Sequence, residues 1–148
     1  MTWLPYLLAA HISLAVALLA PSLVLPFLLR RGSGAPSNPA VRALMAVQGS
    51  GSLLIGTGLA VTGVALLLVL GTELLAQPWL LVALTIYAAN LLVAALISRP
   101  NLRRLLHIGA DDPETWRRRA RTQRYVAYAM AAATGAIGLL MSTKPTLW

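Results

Sequence analysis

The chain has 148 residues, of which 58% are hydrophobic and 11% charged, with a net charge of +8 and no cysteine. A soluble domain carries roughly 25% charged residues, so these charges are too few to clothe a water-soluble globule of this length. The missing cysteines exclude disulfides, thiolate nucleophiles and cysteine metal sites, and a membrane topology accounts for the basic balance without nucleic acid.

The charges are also clustered. No Lys, Arg, Asp or Glu occurs from Met1 to Leu29, from Ala43 to Thr72, from Leu74 to Ser98 or from Tyr125 to Thr143. A span needs about 20 apolar residues, so four such stretches predict four spans, at about 4–29, 43–70, 78–98 and 121–141. The expected fold is all-α: one domain over 1–148, an integral membrane four-helix bundle running up-down-up-down.

Span one has no basic residue ahead of its apolar run, and the run exceeds a signal-peptide core, so it reads as retained. Pro21 and Pro26 predict a kink or local unwinding in its second half. A breaker-rich loop follows, and Asn38-Pro39 reads as an N-cap with proline at the first helical position. Gly71 to Gln77 reads as a short turn before Pro78 opens span three. Arg99-Pro100 is expected to stop that span, and Asn101 to Ile108 (NLRRLLHI) to lie on the membrane surface as an amphipathic piece. Asp112-Pro113-Glu114 is a second N-cap and proline start. One helix then runs through WRRRARTQRY into span four.

Arginine distribution sets the expected orientation. Loops 30–42 and 99–120, with the flanking Arg121 and Arg124, carry the arginines, whereas the second loop carries only Glu73. The two basic loops are therefore cytoplasmic, with both termini outside (N-out/C-out). Trp3, Tyr6, Trp79 and Trp148 fall at the opposite interface, where an aromatic belt belongs. The expected location is the cytoplasmic (inner) cell membrane.

His11 is the one ionisable group deep in a span other than tyrosine, and such groups are functional candidates by default. It lies about 12 Å from Trp3 along the helix. Equal counting places Tyr87, Gly63 and Ala136 in the same layer, with Thr62, Thr134, Gly135 and Gly138 close by and Asn90 one turn deeper. One reading is a haem b pocket with His11 as axial iron ligand and Tyr87 beside it. The other is a histidine hydrogen-bonded inside the bundle. A bare metal ion is disfavoured, because no carboxylate or second histidine is near.

In span two Ser52, Gly56 and Ala60 recur every four residues, and Gly58 with Thr62 repeats the spacing beside Gly63. Small residues at this spacing let backbones approach closely, inside the bundle or against a partner. Arg117, Arg121 and Arg124 share one face of the last helix, suited to lipid headgroups or an acidic partner. Asp111, Asp112 and Glu114 read as helix capping rather than acid–base catalysis.

The early histidine in Ala-Ala-His11-Ile, the Leu25-Pro26-Phe-Leu-Leu-Arg-Arg exit, Pro78-Trp79, Arg99-Pro100 and Met141-Ser-Thr-Lys144-Pro145 carry a resemblance. The chain resembles a predicted integral membrane family of unknown function, near the CopD copper-resistance membrane domain and the HemJ-type protoporphyrinogen oxidases. The resemblance implies a four-helix haem- or metal-associated membrane module, with His11 as its site residue.

Three functions follow, in order. The first is a non-catalytic structural or accessory subunit in a larger respiratory or photosynthetic membrane assembly, partnered by lipid and by other subunits or copies of itself. The second is a haem b redox or porphyrin-handling protein centred on His11. The third is a small transporter, which would want membrane carboxylates or an inverted repeat. The sequence leans away from an enzyme.

Overall fold

The computed structural model describes residues 3–30, 38–108 and 112–144, so Arg31, Asp111, Pro145 and Trp148 lie outside it. Its elements are α1 (Leu4–Arg30), α2 (Pro39–Ala46), α3 (Ser52–Leu70), α4 (Pro78–Val93), α5 (Arg99–His107) and α6 (Pro113–Thr143). A π-helical turn, Val47–Gly51, joins α2 to α3, and another, Ala94–Ser98, joins α4 to α5. Four helical rods result, Leu4–Leu29, Pro39–Leu70, Pro78–His107 and Pro113–Thr143, each long and apolar enough to cross a bilayer. The protein is a four-helix membrane bundle: α1 packs along α3 and α6, and α4 packs along α6.

Both sequence-predicted caps form. The Asn38 side chain accepts from the Ala40 N–H at 3.0 Å, with Pro39 following. The Asp112 carboxylate accepts from the Thr115 N–H at 3.1 Å ahead of Pro113. At the other end of α3, Gly71 adopts φ +107° and returns its N–H to the Leu67 carbonyl at 2.9 Å. Only glycine takes that conformation without strain.

Three local expectations are corrected. First, of the kink or local unwinding expected at Pro21 and Pro26, the unwinding is absent, because α1 is continuous through both. Each proline forfeits one hydrogen bond, and the rest of the ladder holds.

Second, Arg99-Pro100 does not end the third helix. The preceding turn widens to the π form, with the Arg99 N–H bonded to the Ala94 carbonyl five residues back. The wider turn makes room for the Pro100 ring, which a regular turn would drive against the carbonyl four residues earlier.

Third, NLRRLLHI does not lie on a membrane surface. It continues as α5, which with the first turns of α6 occupies most of what reads as a loop at 99–120. Its apolar face has a better partner than lipid. Leu102 and Leu105 are fully buried against Leu25, Leu29, Val41, Met45, Trp116 and Ala120. This cluster is the main buried core, and it sits at the arginine-rich end. Toward the opposite end large apolar side chains such as Leu54, Val61, Val64 and Leu68 remain exposed, as suits helices solvated by lipid tails.

Candidate functional site

The polar side chains inside the bundle form a series of cross-links between helices. Nearest the α1 start, His11 Nδ1 lies 2.8 Å from Thr62 Oγ1 on α3. Thr62 Oγ1 is also 3.0 Å from the carbonyls of Gly58 and Leu59. A hydroxyl has one proton. Thr62 Oγ1 thus sits between the His11 ring and the α3 carbonyls, and which of Nδ1 and Oγ1 donates follows the ring tautomer. The ring edge rests on Gly63, where an added Cβ would stand 3.4 Å from His11 Cε1.

Deeper in the bundle, the Tyr87 hydroxyl donates to the Gly56 carbonyl, joining α4 to α3. Leu91 covers Gly56 so closely that a Cβ there would be 2.8 Å from Leu91 Cδ2. Asn90 Nδ2 donates to Thr134 Oγ1 at 3.1 Å, joining α4 to α6. Between these helices is a small cleft, with a cavity volume of about 10 Å³, lined by Leu18, Ser52, Tyr87, Asn90, Leu91 and Met130.

Toward the arginine-rich end lie two buried amides that sequence reasoning passed over. Gln48, in the first π turn, donates to Ser22 Oγ on α1 across 3.4 Å. Ser52 donates back to the Gln48 carbonyl. Gln123 is fully buried; its Nε2 donates to Ser98 Oγ at 2.8 Å, and its Oε1 accepts from Asn101 at 3.1 Å. The available signal was the residue type. A glutamine in or beside an apolar run must find partners or bear an unmet desolvation cost.

The layer expected from residue counting therefore splits. His11 and Gly63 do meet, with Thr62 between them. Tyr87 meets Gly56 instead, seven residues deeper on α3, or about 10 Å. Gly135 and Gly138 have open space where a Cβ would stand, and Ala136 is exposed, so none of the three faces His11. The small residues of α3 divide between two neighbours. Gly56 serves α4, while Gly58, against Leu14, and Gly63 serve α1. Ser52 lines the central cleft, and Ala60 is half-buried.

A porphyrin does not fit these surroundings. The His11 ring is laid against Gly63, and it does not line the central cleft. At about 10 Å³ the central cleft is far below the roughly 300–1,000 Å³ typical of ligand pockets. Among the described residues no three His, Cys, Asp or Glu side chains gather around one point. The other histidine, His107, is at the opposite end, bonded to the Arg103 carbonyl at 2.7 Å.

Arg117 and Arg121 are exposed on α6, and Arg124 is half-buried, its guanidinium 5.7 Å from the centre of the Tyr125 ring.

No curated protein and no solved structure matches the chain. The sequence does match, over residues 5–145, the family described as predicted integral membrane protein (DUF2269). With four bilayer-length helices across that same stretch, the chain belongs to the DUF2269 family of integral membrane proteins.

Proposed function

We propose that this protein is a non-catalytic structural or accessory subunit that packs within a larger membrane assembly, of the respiratory or photosynthetic kind. It sits in the cytoplasmic membrane with its arginine-rich end inside and both termini outside. The observation that carries this reading is the use made of the interior polar groups. His11, Tyr87, Asn90, Gln48 and Gln123 each hydrogen-bond to another helix. They tie helix to helix, and the cleft that Tyr87 and Asn90 line together is only about 10 Å³. The small-residue surface of α6 around Gly135 and Gly138 leaves room for a neighbouring helix to approach.

The test is purification of the natively expressed protein in mild detergent, with its optical spectrum and native mass recorded together. A particle containing other membrane subunits, and no Soret band belonging to this chain, is the expected result. An isolated chain with a Soret band that vanishes in His11→Ala would replace this reading with haem binding.

A further inference from the structure

We propose that the α6 stripe formed by Arg117, Arg121, Arg124, Tyr125 and Tyr128 is a binding site for the phosphate headgroup of an anionic phospholipid, independent of the subunit reading. Four observations converge on it.

The first is depth. The uncharged stretch Tyr125 to Thr143 is about 28 Å long as a helix, which matches a hydrocarbon core of about 30 Å. Arg124 is therefore at the headgroup boundary, with Arg121 and Arg117 one and two turns beyond it.

The second is the face. Residues at these positions repeat at helical spacing on the side of α6 away from the buried Trp116, Ala120, Gln123 and Ala127. Tyr125 and Tyr128 are 63% and 41% exposed. The aromatic rings thus follow the arginines on the hydrocarbon side, as the glycerol and acyl parts of a lipid follow its phosphate.

The third is charge. No side-chain hydrogen bond or ion pair engages Arg117 or Arg121 among the described residues. Of the acids at the start of α6, Asp112 is committed to the cap and is attracted by Arg118, which flanks the stripe one turn before Arg121. Glu114, one turn before Arg117, holds neither stripe arginine in an ion pair among the described residues. Two free guanidiniums and a third held over a ring suit the bidentate recognition of phosphate oxygens.

The fourth is rigidity. Trp116 and Ala120 anchor this part of α6 in the main apolar core, and Asn101 Nδ2 donates to the Arg119 carbonyl at 3.2 Å. The stripe is held in place rather than sampled by a loose surface segment.

The experiment is native mass spectrometry of the detergent-purified full chain with equimolar phosphatidylglycerol and phosphatidylcholine. Retention of phosphatidylglycerol in preference to phosphatidylcholine is expected. Each of Arg117→Gln, Arg121→Gln and Arg124→Gln should weaken it about fivefold, the factor equivalent to about 1 kcal/mol per basic residue at an anionic surface. Arg103→Gln with Arg104→Gln, exposed on α5, should change it by less than a single stripe substitution. Circular dichroism keeps account of folding in every variant. Equal retention of the two lipids overturns the proposal, as does an equal loss from the α5 pair, which would mean diffuse charge attraction. Displacement of the lipid by inorganic phosphate or by polyglutamate at matched concentration would assign the stripe to a free anion or an acidic polypeptide instead.

Discussion

His11 Nδ1 and Thr62 Oγ1 are hydrogen-bonded across 2.8 Å, a direct polar tie between α1 and α3 inside the bundle. Thr62 Oγ1 also lies 3.0 Å from the Gly58 and Leu59 carbonyls of its own helix. In a bilayer interior such interhelical bonds contribute about 0.6 kcal/mol on average and up to about 1.7. A double-mutant cycle of His11→Ala and Thr62→Ala, followed by reversible unfolding in mixed micelles, should return a coupling energy within that range. Additive effects of the two substitutions would mean that the bond contributes nothing.

The Gly56 site makes a sharper steric prediction. A methyl group there meets Leu91 Cδ2 at 2.8 Å, whereas one at Gly58 meets Leu14 Cδ1 at an ordinary 3.5 Å. Leu91 is flexible, so Gly56→Ala is accommodated by a side-chain shift. Gly56→Leu is not, because it also displaces the Tyr87 hydroxyl from the Gly56 carbonyl. Overpacking of this kind costs about 1–3 kcal/mol. Thermal unfolding should rank Gly56→Leu as the most damaging, then Gly56→Ala, then Gly58→Ala. Tyr87→Phe should reproduce part of the Gly56→Leu loss, and a Gly58→Ala variant less stable than Gly56→Ala would contradict the packing described.

Those pairs also mark what the sequence could and could not reveal. The four spans are legible because uncharged runs of bilayer length admit few alternatives. The two caps are legible because Asn38-Pro39 and Asp112-Pro113 satisfy local rules. Depth across helices is different. Counting inward from Trp79 assumes that α3 and α4 begin and end at one level. Instead a 3₁₀ turn, Thr72–Ala76, lets α3 extend past the start of α4, so Tyr87 pairs with Gly56 and not with the His11 layer. The π turns hide for a related reason. Val47–Gly51 is rich in small residues, and its Gly49 faces Leu102 of α5, a contact the sequence does not display. The fate of α5 is likewise tertiary: its amphipathic pattern fits a membrane surface or a protein core equally well, and Trp116 supplies the core.

The start of α6 should respond to pH. Hydrogen bonds from the Thr115 side chain and then its backbone N–H hold the Asp112 carboxyl below its ordinary value, with Arg118 adding attraction. For a carboxyl depressed in the folded state, the stabilisation is present above the unfolded-state pKa and lost as pH falls through the folded-state pKa. Thermal stability should therefore decline in acid more steeply for the native chain than for Asp112→Asn. Asparagine caps comparably but carries no titrating group. Identical acid profiles for the two proteins would remove Asp112 as the source.

Orientation remains the most consequential prediction, because it decides which compartment meets the arginines. Arg103, Arg104, Arg117, Arg118 and Arg121 are all exposed at one end of the bundle. The connection at the other end, Gly71 to Gln77, carries Glu73 and no basic residue. Lysine and arginine are retained on the cytoplasmic side during insertion. The chain lacks cysteine, so single cysteines can be introduced without background. Thr72 and Glu114 suit this purpose, since both are exposed and lie at opposite ends. In intact cells an impermeant thiol reagent should label Thr72→Cys and spare Glu114→Cys, and lysis should make both reactive. The opposite pattern would invert the protein in the membrane. It would also move the α6 arginine stripe to the outer leaflet, while leaving its geometry and its affinity for an anionic headgroup unchanged.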